Sequence, residues 1–302
     1  MTRVSPQVFL RIAQISDFHF THITWNPFRL FSKRILGNLN WILTRKGHFS
    51  EAQIEPLPTF FKELGVDLVL IGGDISTTSL FEEFEKGARF TKKLSMPWIA
   101  IPGNHDCYTY RSDREDHFYR YFTNQRKEIT HPVEFFNLKQ HGVEVHPFGP
   151  SDSRYWVLAL DTTRATNLYS SQGLFSEKQE AYVEEILGLI PENEPILLFN
   201  HYPFFPNDET RRNLVRGDAL QQLLKRHPRI RIYLHGHTHR HTIADLQGNR
   251  LPLILDSGSC AEGKNGSWNL IHLQQDGCQV DAYRWDGKWT KKRTEEIRWT
   301  RK

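Results

Sequence analysis

Seven short apolar, β-branched runs, each closing on a polar cluster, constrain this chain more than any other feature. Val8 to Ile15 runs into Ser16 and Asp17. Val66 to Ile71 runs into Gly72, Gly73 and Asp74. Trp98 to Ile101 runs into Pro102-Gly103-Asn104-His105-Asp106. Tyr155 to Leu160 meets Asp161, and Pro195 to Phe199 meets Asn200 and His201. Ile230 to Leu234 meets His235-Gly236-His237, and Leu251 to Leu255 meets Asp256-Ser257-Gly258. Apolar runs of this length bounded by turn formers suit buried strands. Helix-periodic stretches lie between them, at Glu55 to Leu64, Leu80 to Lys93, Ser176 to Leu189 and Asp218 to Arg226. Ser176, with Gln179 three positions on, is an N-terminal cap. Strands alternating with helices predict an α/β fold, with functional groups gathered beyond the carboxyl ends of the strands. Ser267 to Leu273 and Cys278 to Trp285 follow one another without a helix. They predict a hairpin, and therefore a mixed sheet.

Composition sets the outer bounds. With 38% hydrophobic and 25% charged residues over 302 positions, the chain can bury a core and is expected to form a single domain, 1–302. A net charge of +4 favours phosphate-bearing partners but is too small to predict nucleic acid. Cys107, Cys260 and Cys278 lack Cys-x-x-Cys spacing and read as buried, reduced thiols. The N-terminal stretch lacks the apolar core of a signal peptide, and no run is long enough to span a bilayer. The expectation is a cytoplasmic chain, with peripheral contact to the inner membrane face left open. The sequence carries no signal of oligomeric state.

Seven residues at the strand ends are metal-ligand types: Asp17, His19, Asp74, Asn104, His201, His237 and His239. A single histidine after a strand is usually structural. The ordered set Asp-x-His, Gly-Asp, Gly-Asn-His-Asp, His, Gly-His-x-His is not explained that way. In an extended segment residues i and i+2 point the same way, so Asp17 and His19 can reach one ion. His237 and His239 can do the same, or can serve two ions if the segment is a loop. Glycines at 73, 103 and 236 permit tight turns and close backbone approach. Carboxylate, amide and imidazole together suit Mn²⁺, Fe²⁺, Zn²⁺ or Mg²⁺.

The set resembles the calcineurin-like metallophosphoesterase superfamily, from about residue 11 to about residue 259. The resemblance implies a β-sandwich of mixed sheets flanked by helices, with an inserted cap. It implies two divalent ions, Mn²⁺ first among the candidates. One would be held by Asp17, His19, Asp74 and His239, and the other by Asp74, Asn104, His201 and His237, with Asp74 bridging. It also implies that His105 stabilises the transition state or protonates the leaving oxygen. Asp106 either orients His105 or braces the turn. One departure is informative. The protein phosphatase branch extends Gly-Asp to Gly-Asp-x-x-Asp-Arg-Gly, whereas here the run is Gly73-Asp74-Ile75-Ser76-Thr77. The second Asp and its Arg are absent, which favours a small-molecule substrate.

Cap insertions are expected at 21–50 and 107–150. Within the first, Phe28, Phe31, Ile35, Leu39 and Ile42 fall at helical spacing. Arg29, Lys33, Arg34, Arg45 and Lys46 supply charge, and residues 26–48 contain no acid. A basic amphipathic helix reads as membrane-surface or acyl-chain binding, although most amphipathic helices simply pack on a core. The expected substrate or lipid contacts are Phe28, Arg29, Phe31, Arg34, Trp41, Arg111 and Arg212. The tail from Trp285 to Lys302 mixes tryptophan with basic residues, as either an interfacial anchor or an ordinary terminal segment. In character the first insert is similar to that of the UDP-2,3-diacylglucosamine pyrophosphatases of lipid A biosynthesis in chlamydia-like bacteria. That resemblance implies hydrolysis to UMP and 2,3-diacylglucosamine 1-phosphate. The alternative is a cyclic nucleotide or general phosphodiesterase, and more remotely a non-catalytic scaffold of the same fold.

Overall fold

The computed structural model describes residues 8–23, 34, 49–124, 131–150, 154–206 and 209–300. Among the described residues, two six-stranded sheets stack face to face. The first holds, in spatial order, β14 (Trp289–Arg298), β13 (Gly277–Trp285), β12 (Ser267–Gln274), β1 (Val8–Ile15), β2 (Leu68–Ile71) and β3 (Trp98–Ala100). The second holds β10 (His241–Asp245), β11 (Leu253–Ser257), β9 (Ile230–His235), β7 (Ile196–Phe199), β5 (Tyr155–Leu160) and β4 (Val143–Phe148). A small ribbon pairs β6 (Gly173–Leu174) with β8 (Leu214–Val215). Both large sheets are mixed. β1, β2 and β3 run parallel, as do β5, β7, β9 and β11, with antiparallel strands completing each sheet.

Side-chain alternation along the strands explains the layers. In β2, Leu68 and Leu70 enter the core between the sheets, while Val69 and Ile71 face a helix layer. That layer contains α1 (Leu57–Glu63) and α2 (Phe81–Lys93), which contribute Phe61, Phe84 and Phe90. In β5, Val157 and Ala159 point between the sheets, and Trp156, Leu158 and Leu160 point outward. There they meet α5 (Glu177–Leu189) and α6 (Gly217–Arg226), through Val183, Ile186, Leu220 and Leu223. The Ser176 cap is present: its Oγ accepts from Gln179 N at 3.1 Å, and Gln179 Oε1 accepts from Ser176 N at 3.0 Å. Shorter helices α3 (Tyr110–Arg114) and α4 (Leu138–His141) lie between β3 and β4. The architecture is the expected α/β sandwich of mixed sheets flanked by helices.

Several expectations change. The 107–150 insertion is shorter than its sequence suggests, because residues 143–148 form β4, an edge of the second sheet. Charged and aromatic composition hid a strand there. The 21–50 insertion lies almost wholly outside the described residues, and with it Phe28, Arg29, Phe31 and Trp41. The C-terminal tail supplies β14, paired antiparallel with β13. Trp289 is buried and donates its indole N–H to Gln53 O at 2.8 Å, so this part of the tail packs back. Lys291, Lys292 and Arg293 face solvent along the same edge strand, a pattern that discourages pairing with other chains. All three cysteines are buried free thiols. No described helix is long and apolar enough to cross a membrane.

Candidate metal centre

The loops beyond the parallel strands of both sheets meet at one end of the sandwich. Asp17 and His19 follow β1, Asp74 follows β2, Asn104 follows β3, His201 follows β7, and His237 and His239 follow β9. Five of these seven residues have left-handed backbone: Asp17 (φ 57°), His19 (48°), Asp74 (51°), His237 (67°) and His239 (56°). Non-glycine residues seldom adopt this region, and such strain collects where a site must be held rigid. Hydrogen bonds hold it here. Asp17 N donates to Gly73 O at 3.0 Å and His19 N to Asp74 O at 2.9 Å, so the first two loops run side by side. Close approach also explains two glycines. A Cβ on Gly103 would fall 2.2 Å from Asp74 Oδ1, and one on Gly236 would fall 2.6 Å from Asp17 Oδ2.

The expected ligands converge. Asp17 Oδ1 lies 3.1 Å from His239 Nε2 and 3.8 Å from His19 Nε2, and the two imidazole nitrogens are 3.1 Å apart. Asp74 Oδ2 lies 3.9 Å from His19 Nε2, while Asp74 Oδ1 lies 3.6 Å from His201 Nε2. Asn104 Oδ1 is 3.3 Å from the same His201 nitrogen. His237 joins through its ring, 5.1 Å from that of His201. Ligand atoms bonded at about 2.1 Å to one ion sit roughly 3 to 3.5 Å apart in tetrahedral or octahedral geometry. Three of these separations fall in that range and three are a few tenths of an ångström wider, so the Asp and His groups fit divalent metal with small side-chain adjustments.

Backbone carbonyls fix the tautomer of three of the imidazoles. A carbonyl can only accept, so each ring nitrogen facing one carries the proton. His201 Nδ1 donates to Gly72 O at 2.7 Å, His237 Nε2 to Arg212 O at 3.0 Å, and His105 Nδ1 to Thr77 O at 2.6 Å. In His201 and His237 the other nitrogen is left with its lone pair, free to bind metal. Burial pushes His201 below its usual range, and burial with the neighbouring His201 pushes His237 well below it. Both are therefore neutral, as ligands must be. Burial acts to raise the Asp17 carboxyl, but the charge of His239 and its hydrogen bond lead the effects that outweigh it and hold the group below the ordinary carboxylate range.

His105 sits against the cluster, its ring 4.8 Å from that of His19 and stacked at 5.5 Å on Tyr108. Its backbone N–H donates to Asp74 Oδ1 at 2.8 Å. Asp106 braces the turn: its carboxylate accepts from Gly103 N (2.9 Å), Ser76 N (2.8 Å), Ile75 N (3.2 Å) and Ser76 Oγ (2.9 Å). The tether that aims the His105 ring is the Thr77 carbonyl.

A cavity of about 420 Å³ opens over the centre, with Asp74, Asn104, His105, His237 and His239 on its floor. Its wall includes Tyr108, Tyr169, Arg211 and Arg212. Of the expected substrate contacts, Arg212 therefore reaches the cavity. Arg111 does not line it; it pairs with Glu115 at 2.8 Å on an exposed face of α3. Arg34 is buried and donates to Thr78 O at 2.9 Å and Ser79 O at 3.2 Å. Sequence reasoning passed over Tyr169, which stands in a loop with no motif, and Thr77, whose contribution is a backbone carbonyl that no side-chain pattern reveals.

Comparison with known proteins agrees with this geometry. The calcineurin-like phosphoesterase family profile matches residues 10–241. A probable cyclic nucleotide phosphodiesterase of Synechococcus is 22% identical over 232 residues, covering 74% of this chain and 78% of the relative. The 3',5'-cyclic adenosine monophosphate phosphodiesterase of Escherichia coli K12 is 21% identical over 282 residues, covering 89% and 86%. A dimetal phosphatase from Danio rerio superposes with a TM-score of 0.63 at 14% identity, covering 97% of this chain and 100% of the other, which shows the shared fold. This chain belongs to the calcineurin-like phosphoesterase family and is a metal-dependent phosphoester hydrolase.

Proposed function

We propose that the protein hydrolyses small-molecule phosphodiesters at a two-ion centre. Asp17, His19, Asp74 and His239 would hold one ion, and Asp74, Asn104, His201 and His237 the other. The observation that carries this reading is the position of Asp74. Its two carboxylate oxygens face different halves of the cluster, 3.9 Å from His19 and 3.6 Å from His201. When bound, paired divalent ions supply Lewis-acid polarisation of phosphoryl oxygens and a reactive water near neutral pH. Mn²⁺ is our first choice, with Fe²⁺, Zn²⁺ and Mg²⁺ as alternatives.

His105 supplies the proton. With Nδ1–H committed to Thr77 O, Nε2 is the atom that faces substrate and holds the transferable proton. Water adds its oxygen to phosphorus, the far P–O ester bond breaks, and His105 protonates the departing oxygen. The products are one phosphomonoester and one alcohol, and the proton released from water restores His105 through solvent. His105→Ala is expected to keep its metal and lose roughly 10²- to 10⁴-fold in kcat. Elemental analysis beside the kinetics decides this. Loss of metal would mean that His105 is a ligand, as its grouping with His19 and Asp74 allows.

The named relatives support a cyclic nucleotide or similar diester as substrate. The basic, apolar stretch 26–48 supports a second reading, UDP-2,3-diacylglucosamine hydrolysed at the membrane face. Turnover of cyclic AMP, bis-p-nitrophenyl phosphate and the acylated nucleotide sugar in micelles, on manganese-loaded protein, separates the two. UMP release confined to the micelles would displace the first reading.

A further inference from the structure

The cavity wall carries chemistry that cleavage of a simple diester does not require. Arg211 and Arg212 are half-exposed and line the same cavity as Asp74, His105 and His237. Their shared carboxylate is Glu209, 2.5 Å from Arg211 Nε and 3.5 Å from Arg212 Nε. Two guanidinium groups against one carboxylate leave the wall with net positive charge. Arg216, from the same basic stretch, is excluded, because it is engaged with Glu177 at 2.8 Å and Glu180 at 2.5 Å.

The pair is also held in place. Ser171 N donates to Arg211 O at 3.0 Å, Arg212 N to Glu209 O at 2.8 Å, and Gln172 Nε2 to Thr210 O at 3.0 Å. The β6–β8 pairing continues this wall into the body of the fold. His237 Nε2 donates to Arg212 O, so the arginine backbone is tied directly to the metal cluster. These bonds anchor the backbone that carries the two guanidinium groups, and the planar fork of each suits phosphate or carboxylate.

We propose that Arg211 and Arg212 form an anion subsite beside the metal cluster, which selects phosphodiesters carrying a second acidic group on one ester arm. The inference rests on the phosphodiesterase reading above. The scissile phosphate, with its single charge, occupies the centre. The second anion, a phosphate, phosphonate or carboxylate, reaches the arginine wall.

The test compares p-nitrophenyl ethyl phosphate with p-nitrophenyl 2-phosphonoethyl phosphate, which differ by one terminal anion, on the metal-loaded full chain. The wild type should prefer the second in kcat/KM. In Arg211→Gln/Arg212→Gln that preference should fall roughly ten- to a hundredfold. Because the readout is a ratio, general damage to the fold cancels. Glu209→Gln, which removes the opposing carboxylate, should raise the preference instead. An unchanged ratio in the double variant, or a fall in Glu209→Gln, overturns the subsite. Failure of the wild type to turn over either probe counts against the phosphodiesterase reading alone. In that event the relative affinity for 1,3-propanebisphosphonate and propylphosphonate, by calorimetry, still tests the arginines: the double variant should lose the preference for the bisphosphonate, and retention would sink the proposal.

Discussion

At the scale of single residues, Arg34 shows how its surroundings can point a sequence feature toward a different role. It belongs to a basic stretch that suggests lipid contact, yet its guanidinium is buried on the Thr78 and Ser79 carbonyls. Those residues continue the loop whose Thr77 carbonyl aims His105, and Ser79 Oγ donates to His105 O at 2.8 Å. Ser79 itself has left-handed backbone, φ 58°, so this loop needs external support. Arg34→Gln is expected to keep metal and KM but to lower kcat by about tenfold, in the range seen for residues that support a site from behind, with partial recovery in Arg34→Lys. A change in KM alone would return Arg34 to the substrate. The seven candidate ligands and His105 were legible because metal-binding residue types recur just past the strand ends, although the i, i+2 argument assumed extended backbone and Asp17, His19, His237 and His239 are left-handed. The loop conformation that aims them was not, because left-handed backbone at Asp17 or His239 leaves no mark on residue identity.

At the scale of elements, Glu83 explains how the loop after Asp74 enters α2. It is wholly buried, and its carboxylate accepts from Thr78 N (2.8 Å), Leu80 N (3.1 Å) and His22 N (3.2 Å). It therefore caps the helix and ties down both chain segments that flank the site. Burial pushes its carboxyl up to about 7, against the pull of those N–H groups. An unfolded glutamate titrates near 4.5, so between these values the folded chain binds more protons than the unfolded chain. The contribution to stability is complete below 4.5 and is lost as pH rises through 7, by about 3 kcal/mol. Glu83→Gln cannot ionise. Denaturant unfolding of both proteins from pH 4.5 to 7.5 should therefore show the stability difference shifting in favour of the variant as pH rises. A constant difference would mean that Glu83 titrates normally. Long apolar runs such as Tyr155 to Leu160 announced their strands. β10 and β14 did not, because edge strands with a wet face carry His, Asp, Glu, Lys and Arg at positions that a buried strand would fill with valine, and β4 did not because the buried Glu144 and His146 interrupt its apolar run.

At the scale of the whole molecule, the candidate metal centre draws on both sheets, which apolar packing and a few buried polar bonds hold together. Asp17, His19, Asp74 and Asn104 come from one sheet, and His201, His237 and His239 from the other. Each proposed ion therefore takes ligands from both. Beneath them Gln14 makes a buried polar tie, donating from β1 to His235 O and Leu255 O at 3.0 Å each. Asn269 on β12 adds a second, donating to Asp256 O at 3.3 Å with His241 Nε2 2.6 Å from its Oδ1, and apolar side chains such as Leu70, Val157, Leu234 and Leu255 fill the space between the sheets. Leu70→Ala removes a fully buried side chain from that interface, four residues before Asp74. It should cost about 2 to 5 kcal/mol and lower Tm by roughly 5 to 15 °C. If the ions link the sheets, metal loading should raise Tm in both wild type and variant, since ligands that bind only the folded state stabilise it. The variant should also keep its metal stoichiometry, because the loops are pinned to each other by Asp17 N, His19 N and His237 N rather than by Leu70. Scanning calorimetry with and without chelator, beside elemental analysis, checks both parts. A variant that loses metal together with stability would show that the centre is built by the packing below it, and that the loops cannot hold their strained shape alone.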